Sequence, residues 1–216
     1  MILYGAPISP FVRKVALVLA EKGLDYQAAR GGRGSGGDEF AAASPFGKIP
    51  AIDDNGFTLS DSSAIVCYLD AQYLEPRLIP ADARGLGRAM WFDEFSDTIF
   101  AASGLKIMFN RLVGPKLMKI GGNEDLALEG EAELPRILDY VEASAPESGW
   151  LLGDHFSIAD ISVASMLRTL LYIDHPIDVA ARPRTAAWYD RVTARPSWQT
   201  VSAPEEAYWL KIKPAD

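Results

Sequence analysis

The chain has 216 residues, of which 49% are hydrophobic and 23% charged, enough to bury one large core or two small ones. Its net charge is -8 without a basic stripe, which argues against nucleic acid or an anionic membrane surface as a partner. No apolar run approaches the ~20 residues that span a bilayer. The amino terminus lacks the pattern of a secretory leader, and the lone Cys67 cannot form an internal disulfide, so we expect a cytoplasmic protein.

The first segment predicts a strand followed by a helix. The residues "MILY" form the strand, and after a turn Ser9 stands at the N-cap position with Pro10 at the first helical position. Apolar residues then recur at spacings of three and four, which predicts an amphipathic helix that Gly23 ends. A second short strand is expected at 24–29, and the glycine-rich tract "RGGRGSGG" at 30–37 is expected to be a loop.

A β-hairpin is the clearest element of the sequence. Residues 48–59, "KIPAIDDNGFTL", contain two apolar runs joined around Asn55-Gly56, a dipeptide that readily adopts positive φ. The following "SDSS" supplies caps for a helix with Ile65 and Leu69 on one face. The order β-α-β, a short helix or loop, then β-β-α predicts a small mixed sheet flanked by helices.

Beyond a proline-containing connector at 74–82, the sequence predicts only helices. The first covers 83–112 and is closed by Gly114-Pro115, and further helices are expected at about 123–145, 157–173 and 183–194. The residues "FSIADI" resemble a capping box in which Ser157 caps the helix and Asp160 reaches back to it. We therefore assign Asp160 a folding role and no catalytic role.

Three stretches carry a resemblance to a known family. The residues "YGAPISPFVRKVALVLAEKGLDY", "SPFGKIPAIDDNGFTLSDSSAIVCYL" and "GDHFSIADI" resemble the cytosolic glutathione S-transferases in order and spacing across nearly the whole chain. The "SPF" motif is similar to serine-type members, with a bacterial or tau-like amino-terminal motif. The resemblance implies a homodimer, an α/β thioredoxin-like domain at residues 1–75, a linker at 76–82, and an all-α domain at 83–216 that contributes a hydrophobic substrate pocket.

The resemblance also implies glutathione as cosubstrate, held between the domains. Ile49-Pro50 would be a cis peptide that exposes the Ile49 backbone to the cysteinyl part of glutathione. Ser62 and its backbone would take the γ-glutamyl carboxylate, Asp61 would face the ammonium, and Lys48 would offer a cation to the glycyl carboxylate. Each residue also has a simpler interpretation. Pro50 would be a trans proline at the start of an edge strand, Asp61 and Ser62 would only cap a helix, and Lys48 would be a solvated lysine beside a strand.

Ser9 is the candidate for stabilising the glutathione thiolate. A free thiol titrates near ~8.5, and lowering that pKa by about two units corresponds to ~2.7 kcal/mol, part of which a hydroxyl donor at a helix start can supply. The alternative is that Ser9 is only an N-cap, in which case Tyr4 is the next candidate. Cys67 is expected to be a buried small hydrophobic residue without a redox role.

Four aromatic residues are candidates for the substrate pocket: Phe11, Trp91, Phe95 and Phe100. Aromatic residues at such spacings are also typical of a helical core, and the sequence leaves the choice open. Arg30 and Arg33 are poor candidates for glutathione ligands, because a glycine-rich loop loses much entropy on closing over a ligand.

Metal and nucleotide sites are not implied. His155 and His175 are isolated, and no Walker or dinucleotide motif appears. The resemblance favours a glutathione transferase acting on a small hydrophobic electrophile. One alternative is a transferase fold that serves as a protein-binding scaffold through its dimer surface or its tail, "EEAYWLKIKPAD". Another is a glutathione-dependent isomerase or reductive dehalogenase.

Overall fold

The structure is a computed structural model that describes residues 1–32 and 34–213. Its amino-terminal part contains a four-stranded mixed sheet in the order β2-β1-β3-β4. The central strand β1 runs parallel to β2 and antiparallel to β3, and β3 and β4 form a hairpin. The strands are β1 (Ile2–Tyr4), β2 (Gln27–Ala29), β3 (Ala51–Asp54) and β4 (Phe57–Ser60).

Three helices flank this sheet: α1 (Pro10–Glu21), α2 (Gly37–Ala43) and α3 (Ser62–Gln72). Helix α1 begins with Pro10 directly after Ser9, and Gly23 beyond its end has a positive φ of 65°. The hairpin turns at Asn55 and Gly56, whose φ values of 54° and 92° lie in the left-handed region that this dipeptide accepts. The predicted order of elements is confirmed, and the open choice between short helix and loop resolves to helix α2.

The remainder of the chain is helical. A long helical rod is interrupted by two π-helical segments, Phe95–Phe100 and Phe109–Met118. The α-helices are α4 (Ala83–Glu94), α5 (Ala101–Met108), α6 (Glu124–Ser144), α7 (Ile158–Leu171), α8 (Pro183–Thr193) and α9 (Pro196–Ile212). The helices expected at 123–145, 157–173 and 183–194 are therefore confirmed.

One expectation for the helical part is wrong, and one helix was not predicted. Gly114-Pro115 does not close the rod, which continues to Met118 and ends at Lys119 with a φ of 57°. Pro115 lies inside the π-helical segment, whose hydrogen-bond pattern differs from the α-helical one that an interior proline disrupts. Helix α9 was not predicted, because Pro196 at its first position and Pro204 in its interior obscure the pattern.

Helix α7 lies at the centre of the molecule, buried along most of its length against α1, α4 and α5. The predicted capping box is confirmed: Asp160 accepts a hydrogen bond from the Ser157 backbone N–H at 3.1 Å. The same buried carboxylate accepts bonds from the backbone N–H of Leu151 and from Trp188 Nε1, both at 2.9 Å. Asp160 thus joins the start of α7 to α8.

The sheet-bearing part ends with α3 at Gln72, and the helical part begins with α4 at Ala83. A domain boundary within 76–82 stays a prediction. In the part of the chain that the structure describes, no helix is long and apolar enough to cross a membrane.

Candidate functional site

A cleft of about 500 Å³ lies between the start of α3 and the loop that precedes β3. One residue of the helical part, Asp97 in the first π-helical segment, forms part of its wall. The lining residues are Phe11, Ser44, Phe46, Lys48, Ile49, Pro50, Ser60, Asp61, Ser62 and Asp97. All five residues that the sequence assigned to glutathione therefore line one cavity.

The Ile49-Pro50 peptide bond is cis, as expected. Within residues 1–32 and 34–213, neither the N–H nor the carbonyl of Ile49 has a hydrogen-bond partner, so both groups remain available for strand-like pairing with a ligand. The preceding carbonyl, of Lys48, is held by the buried Ser44 hydroxyl at 2.7 Å. Ser44 was not singled out in the sequence, where a serine before Pro45 resembles an ordinary loop residue.

Asp61 is the N-cap of α3 and adopts a positive φ of 83°. One carboxylate oxygen, Oδ1, accepts the backbone N–H groups of Ser63 and Ala64, both at 3.0 Å. Among the described residues, its other oxygen accepts no hydrogen bond. The next residue, Ser62, is buried, and its hydroxyl lies 3.3 Å from Asp97 Oδ2. The cleft therefore offers a free carboxylate oxygen beside the start of a helix.

Ser9 occupies the N-cap position of α1, where its carbonyl accepts the Arg13 N–H at 2.9 Å. Ser9 is half-buried, and its hydroxyl makes no capping hydrogen bond to the described backbone. Ser9 is not itself a lining residue of the cleft, but Phe11, two positions along α1, is. A hydroxyl that caps no N–H group is available to a ligand.

Tyr4, the fallback candidate, lies in the core. Its side chain is buried beneath α2, with its ring centroid 5.8 Å from that of Phe40, and burial raises the pKa of its phenol. The structure does not bring Tyr4 to the cleft.

A buried polar network that the sequence did not reveal lies behind the cleft and reaches its wall through Asp97. Lys14 Nζ donates to Asp93 at 2.8 Å, to Asp97 at 2.7 Å and to the Ser63 hydroxyl at 3.1 Å. Burial raises the pKa of Asp97, although the ammonium group of Lys14 opposes that shift. Asp93 also accepts the Ser162 hydroxyl of α7 at 2.6 Å. This network joins α1, α3, α4 and α7 behind the cleft.

The four aromatic residues grouped as a substrate pocket do not lie together. Phe11 lines the cleft, whereas Trp91 and Phe95 line a separate groove of about 460 Å³ against Tyr140 of α6. Phe100 is fully buried. Trp91 and Phe95 are four residues apart and share a helical face, whereas Phe100 points into the core. The grouping from sequence is corrected accordingly.

Cys67 is exposed on α3, contrary to the expectation that it is buried. The buried face of this helix carries Ile65, Val66 and Leu69, and Cys67 points away from it. In the glycine-rich loop Arg30 is exposed, and Arg33 lies outside the described residues. Among residues 1–32 and 34–213, no group of three His, Cys, Asp or Glu side chains could hold a metal ion.

Comparison with known proteins places this geometry in a family. Residues 3–77 match the glutathione S-transferase amino-terminal domain model, and residues 89–191 match the carboxy-terminal domain model. Glutathione S-transferase 3 of Zea mays is 38% identical, over 93% of both chains. The plant relatives that the chain resembles are phi-class-like glutathione S-transferases.

Solved structures agree with this assignment. A glutathione S-transferase from Rhodospirillum rubrum F11 is 27% identical, with a TM-score of 0.84 over 94% of this chain and 91% of that one. A glutathione S-transferase-I bound with lactoylglutathione is 26% identical, with a TM-score of 0.79 over 94% of this chain and 98% of that one. The chain belongs to the glutathione S-transferase family.

Proposed function

We propose that this protein is a glutathione transferase that binds glutathione in the cleft and presents its thiolate to a hydrophobic electrophile. The observation that carries the proposal is the convergence of the cis Ile49-Pro50 peptide, Lys48, and the Asp61-Ser62 helix start on one cavity. The similarity to a transferase structure that holds lactoylglutathione supports it.

The polar groups of the cleft match the three parts of the tripeptide. The γ-glutamyl carboxylate meets the Ser62 backbone N–H at the start of α3, where the helix dipole is positive. The γ-glutamyl ammonium faces the unengaged Asp61 oxygen, and the cysteinyl backbone pairs with Ile49. Lys48 is exposed at the rim, where its cation attracts the glycyl carboxylate. This arrangement directs the sulfur toward the start of α1.

Ser9 then donates its hydroxyl hydrogen to the sulfur. A thiol with a pKa of about 8.5 is only a few per cent ionised at neutral pH, and a shift of two units raises that share to roughly three quarters. The thiolate forms a carbon–sulfur bond to the electrophile, the thiol proton passes to solvent, and with an aryl halide the halide leaves. Ser9 makes no covalent bond to the substrate.

The second substrate would bind beside an aromatic side chain of α1. Phe11 lines the cleft two residues after Ser9, where it provides an apolar surface next to the position of the sulfur. This supports a hydrophobic electrophile as the class of second substrate.

Steady-state conjugation of glutathione with an activated aryl halide tests the activity. We expect a rate well above the uncatalysed reaction, with binding of glutathione by calorimetry tighter than millimolar. Absent conjugation across several electrophile classes together with millimolar or weaker binding would favour a protein-binding scaffold instead. Product analysis distinguishes conjugation from isomerisation or reductive dehalogenation.

We propose further that the protein is a homodimer. Phe46 is almost fully exposed on the loop before β3, and the groove between α4 and α6 exposes Trp91, Ile99 and Tyr140. An exposed aromatic side chain and an apolar groove on the same chain suit reciprocal contact between two copies related by a twofold axis. A dimer would bury both surfaces.

Sedimentation of the parent and of Ile99→Asp tests this proposal. The substitution introduces a charge into the groove without touching the cleft, so we expect the parent to sediment as a dimer and the variant as a monomer. Val179→Asp alters an exposed apolar residue outside the groove and serves as the control. A monomeric parent would refute the dimer.

A further inference from the structure

Arg13 is a buried cation in the middle of α1, only 1% exposed. All five of its guanidinium N–H groups have acceptors. Nε and Nη2 donate to the two Glu205 oxygens at 2.7 and 2.8 Å, and Nη1 donates to the Ser165 carbonyl and the Thr169 hydroxyl of α7. The remaining N–H, on Nη2, donates to the carbonyl of Ile8 at 3.2 Å. Arg13 therefore holds the backbone of Ile8, the residue that immediately precedes Ser9, by a hydrogen bond.

Glu205 of α9 is the counterion, and it too is 1% exposed. Burial alone would raise the pKa of Glu205, but the Arg13 guanidinium and its hydrogen bonds hold that pKa below its usual range. The hydroxyl of Tyr172 and Nε of Arg168 also donate to Oε1. The carboxylate is thus ionised and fixed by three neighbours, one on α1, one on α7 and one directly after α7.

We propose that Glu205 and Arg13 are positioning residues for thiolate formation, through which helix α9 fixes the turn that presents Ser9. The chain of contacts runs from Glu205 to Arg13, from Arg13 to the Ile8 carbonyl, and from Ile8 through one peptide bond to Ser9. This inference rests on the proposed function, because it matters only if Ser9 binds the sulfur. It assigns the carboxy-terminal helix a role in the reaction.

The fork of the guanidinium is the essential feature. A planar guanidinium can bond Glu205 by two parallel N–H groups and still direct another N–H to Ile8, whereas an ammonium cannot satisfy that geometry. Arg13→Lys therefore keeps the charge and loses the restraint on the turn. Glu205→Gln keeps the shape but turns an amide N–H group toward the guanidinium, which also releases Arg13.

We expect both variants to bind glutathione with a near-parental KM but to ionise its thiol less readily. If the bound thiol of the parent has a pKa near 6.5, a rise of about one unit lowers the thiolate at pH 6.5 from one half to about one tenth, roughly a fivefold loss of kcat. The loss should vanish above about pH 8.5, where the thiol is ionised in every variant. A purely structural defect would lower the rate equally at all pH values.

Arg168→Gln is the matched control. Arg168 donates to the same Glu205 oxygen at 3.3 Å and to Glu206, and none of its hydrogen bonds reaches the Ile8 turn. We expect this variant to lose stability without any change in the thiol pKa. An equal shift in Arg168→Gln would show that general loosening is responsible, and would overturn the proposal.

A double-mutant cycle with Ser9→Ala tests the route through Ser9. If Glu205 acts by placing the Ser9 hydroxyl, Ser9→Ala/Glu205→Gln should show the same thiol pKa as Ser9→Ala alone. Additive shifts would contradict the proposal, as would parental thiol pKa values in folded Arg13→Lys and Glu205→Gln. If Glu205→Gln does not fold, Glu205→Asp, with a shorter reach, replaces it and should shift the pKa in the same direction.

Failure of this inference differs from failure of the proposed function. A parent that leaves the bound thiol at its free pKa would refute the function itself. If the parent lowers the thiol pKa and the Arg13→Lys and Glu205→Gln variants lower it equally, only the role of Glu205 and Arg13 is refuted.

Discussion

Among the described residues, Lys14 is the only cation of the polar network behind the cleft. Replacing it by methionine removes this charge and leaves the carboxylates of Asp93 and Asp97 in place. Lys14 is 1% exposed and lies between Asp93 and Asp97, which are 2% and 18% exposed. Methionine matches the apolar stem of the lysine side chain and lacks its ammonium group. The change therefore isolates the loss of charge and of three hydrogen bonds.

The cost follows from the burial of these carboxylates. Breaking a buried ion pair by removing one partner costs about 3–5 kcal/mol, because the remaining charge is left without compensation. In a protein of this size about 1 kcal/mol corresponds to roughly 2–4 °C in melting temperature, so we expect Lys14→Met to melt about 10 °C below the parent.

The sign of the pH dependence provides a second test. Burial already raises the pKa of Asp97 above its unfolded value, and loss of the Lys14 ammonium raises it further. A folded carboxyl with a raised pKa binds more protons than the unfolded one as pH falls, so acidification stabilises the fold through this group. The deficit of Lys14→Met should therefore be largest at pH 7 and should shrink toward pH 5.

Urea unfolding at pH 7 and pH 5 measures both effects. Lys106→Met is the matched control, because Lys106 pairs with Glu129 and Glu133 at the exposed surface and should cost less than about 1 kcal/mol. A Lys14→Met deficit no larger than that of Lys106→Met, or one that grows on acidification, would refute the reasoning.

Three further predictions concern the cleft and the core. Gly5→Ala places a Cβ 2.4 Å from Val12 Cγ2 at a φ of 146°. We expect the free energy of unfolding in urea to fall by at least ~1 kcal/mol and the KM for glutathione to rise. A variant with the stability and KM of the parent would contradict this. Asp61→Asn keeps the helix cap but loses the charge that faces the ammonium of glutathione. Calorimetry should therefore show roughly tenfold weaker glutathione binding, at unchanged stability of the protein. Equal binding by the parent and the variant would exclude that contact. Asp160→Ala leaves the N–H donors of Leu151, Ser157 and Trp188 unpaired. We expect the free energy of unfolding in urea to fall by ~3 kcal/mol or more. A loss below ~1 kcal/mol would show that the capping box contributes little.

Much of the fold follows from local signals in the sequence. Asn55-Gly56 predicted the hairpin turn because few residue pairs accept two positive φ values, and Pro10 marked the start of α1 because its fixed φ suits a first helical turn. The Asp160 capping box was predicted because its two hydrogen bonds connect residues only three apart. Each of these signals acts over a few residues.

The remainder depends on partners that are distant in the chain. Arg13 and Lys14 resemble solvated charges on an amphipathic helix, and only Glu205 and Asp93, 192 and 79 residues away, explain their burial. The aromatic residues between positions 91 and 100 are similar in type, so sequence alone could not separate the groove residue Trp91 from the core residue Phe100. Long-range electrostatic pairing leaves no local pattern.

The central claim is that Ser9 stabilises the thiolate of bound glutathione. Titration of the bound thiol by its ultraviolet thiolate absorbance, in the parent and in Ser9→Ala at saturating glutathione, tests it most directly. We expect the parent to lower the thiol pKa by about two units from ~8.5 and Ser9→Ala to lose most of that shift while still binding glutathione. The account would be contradicted if the thiol pKa of glutathione bound to the parent equalled that of free glutathione. It would also be contradicted if the pKa were the same in the parent and in Ser9→Ala.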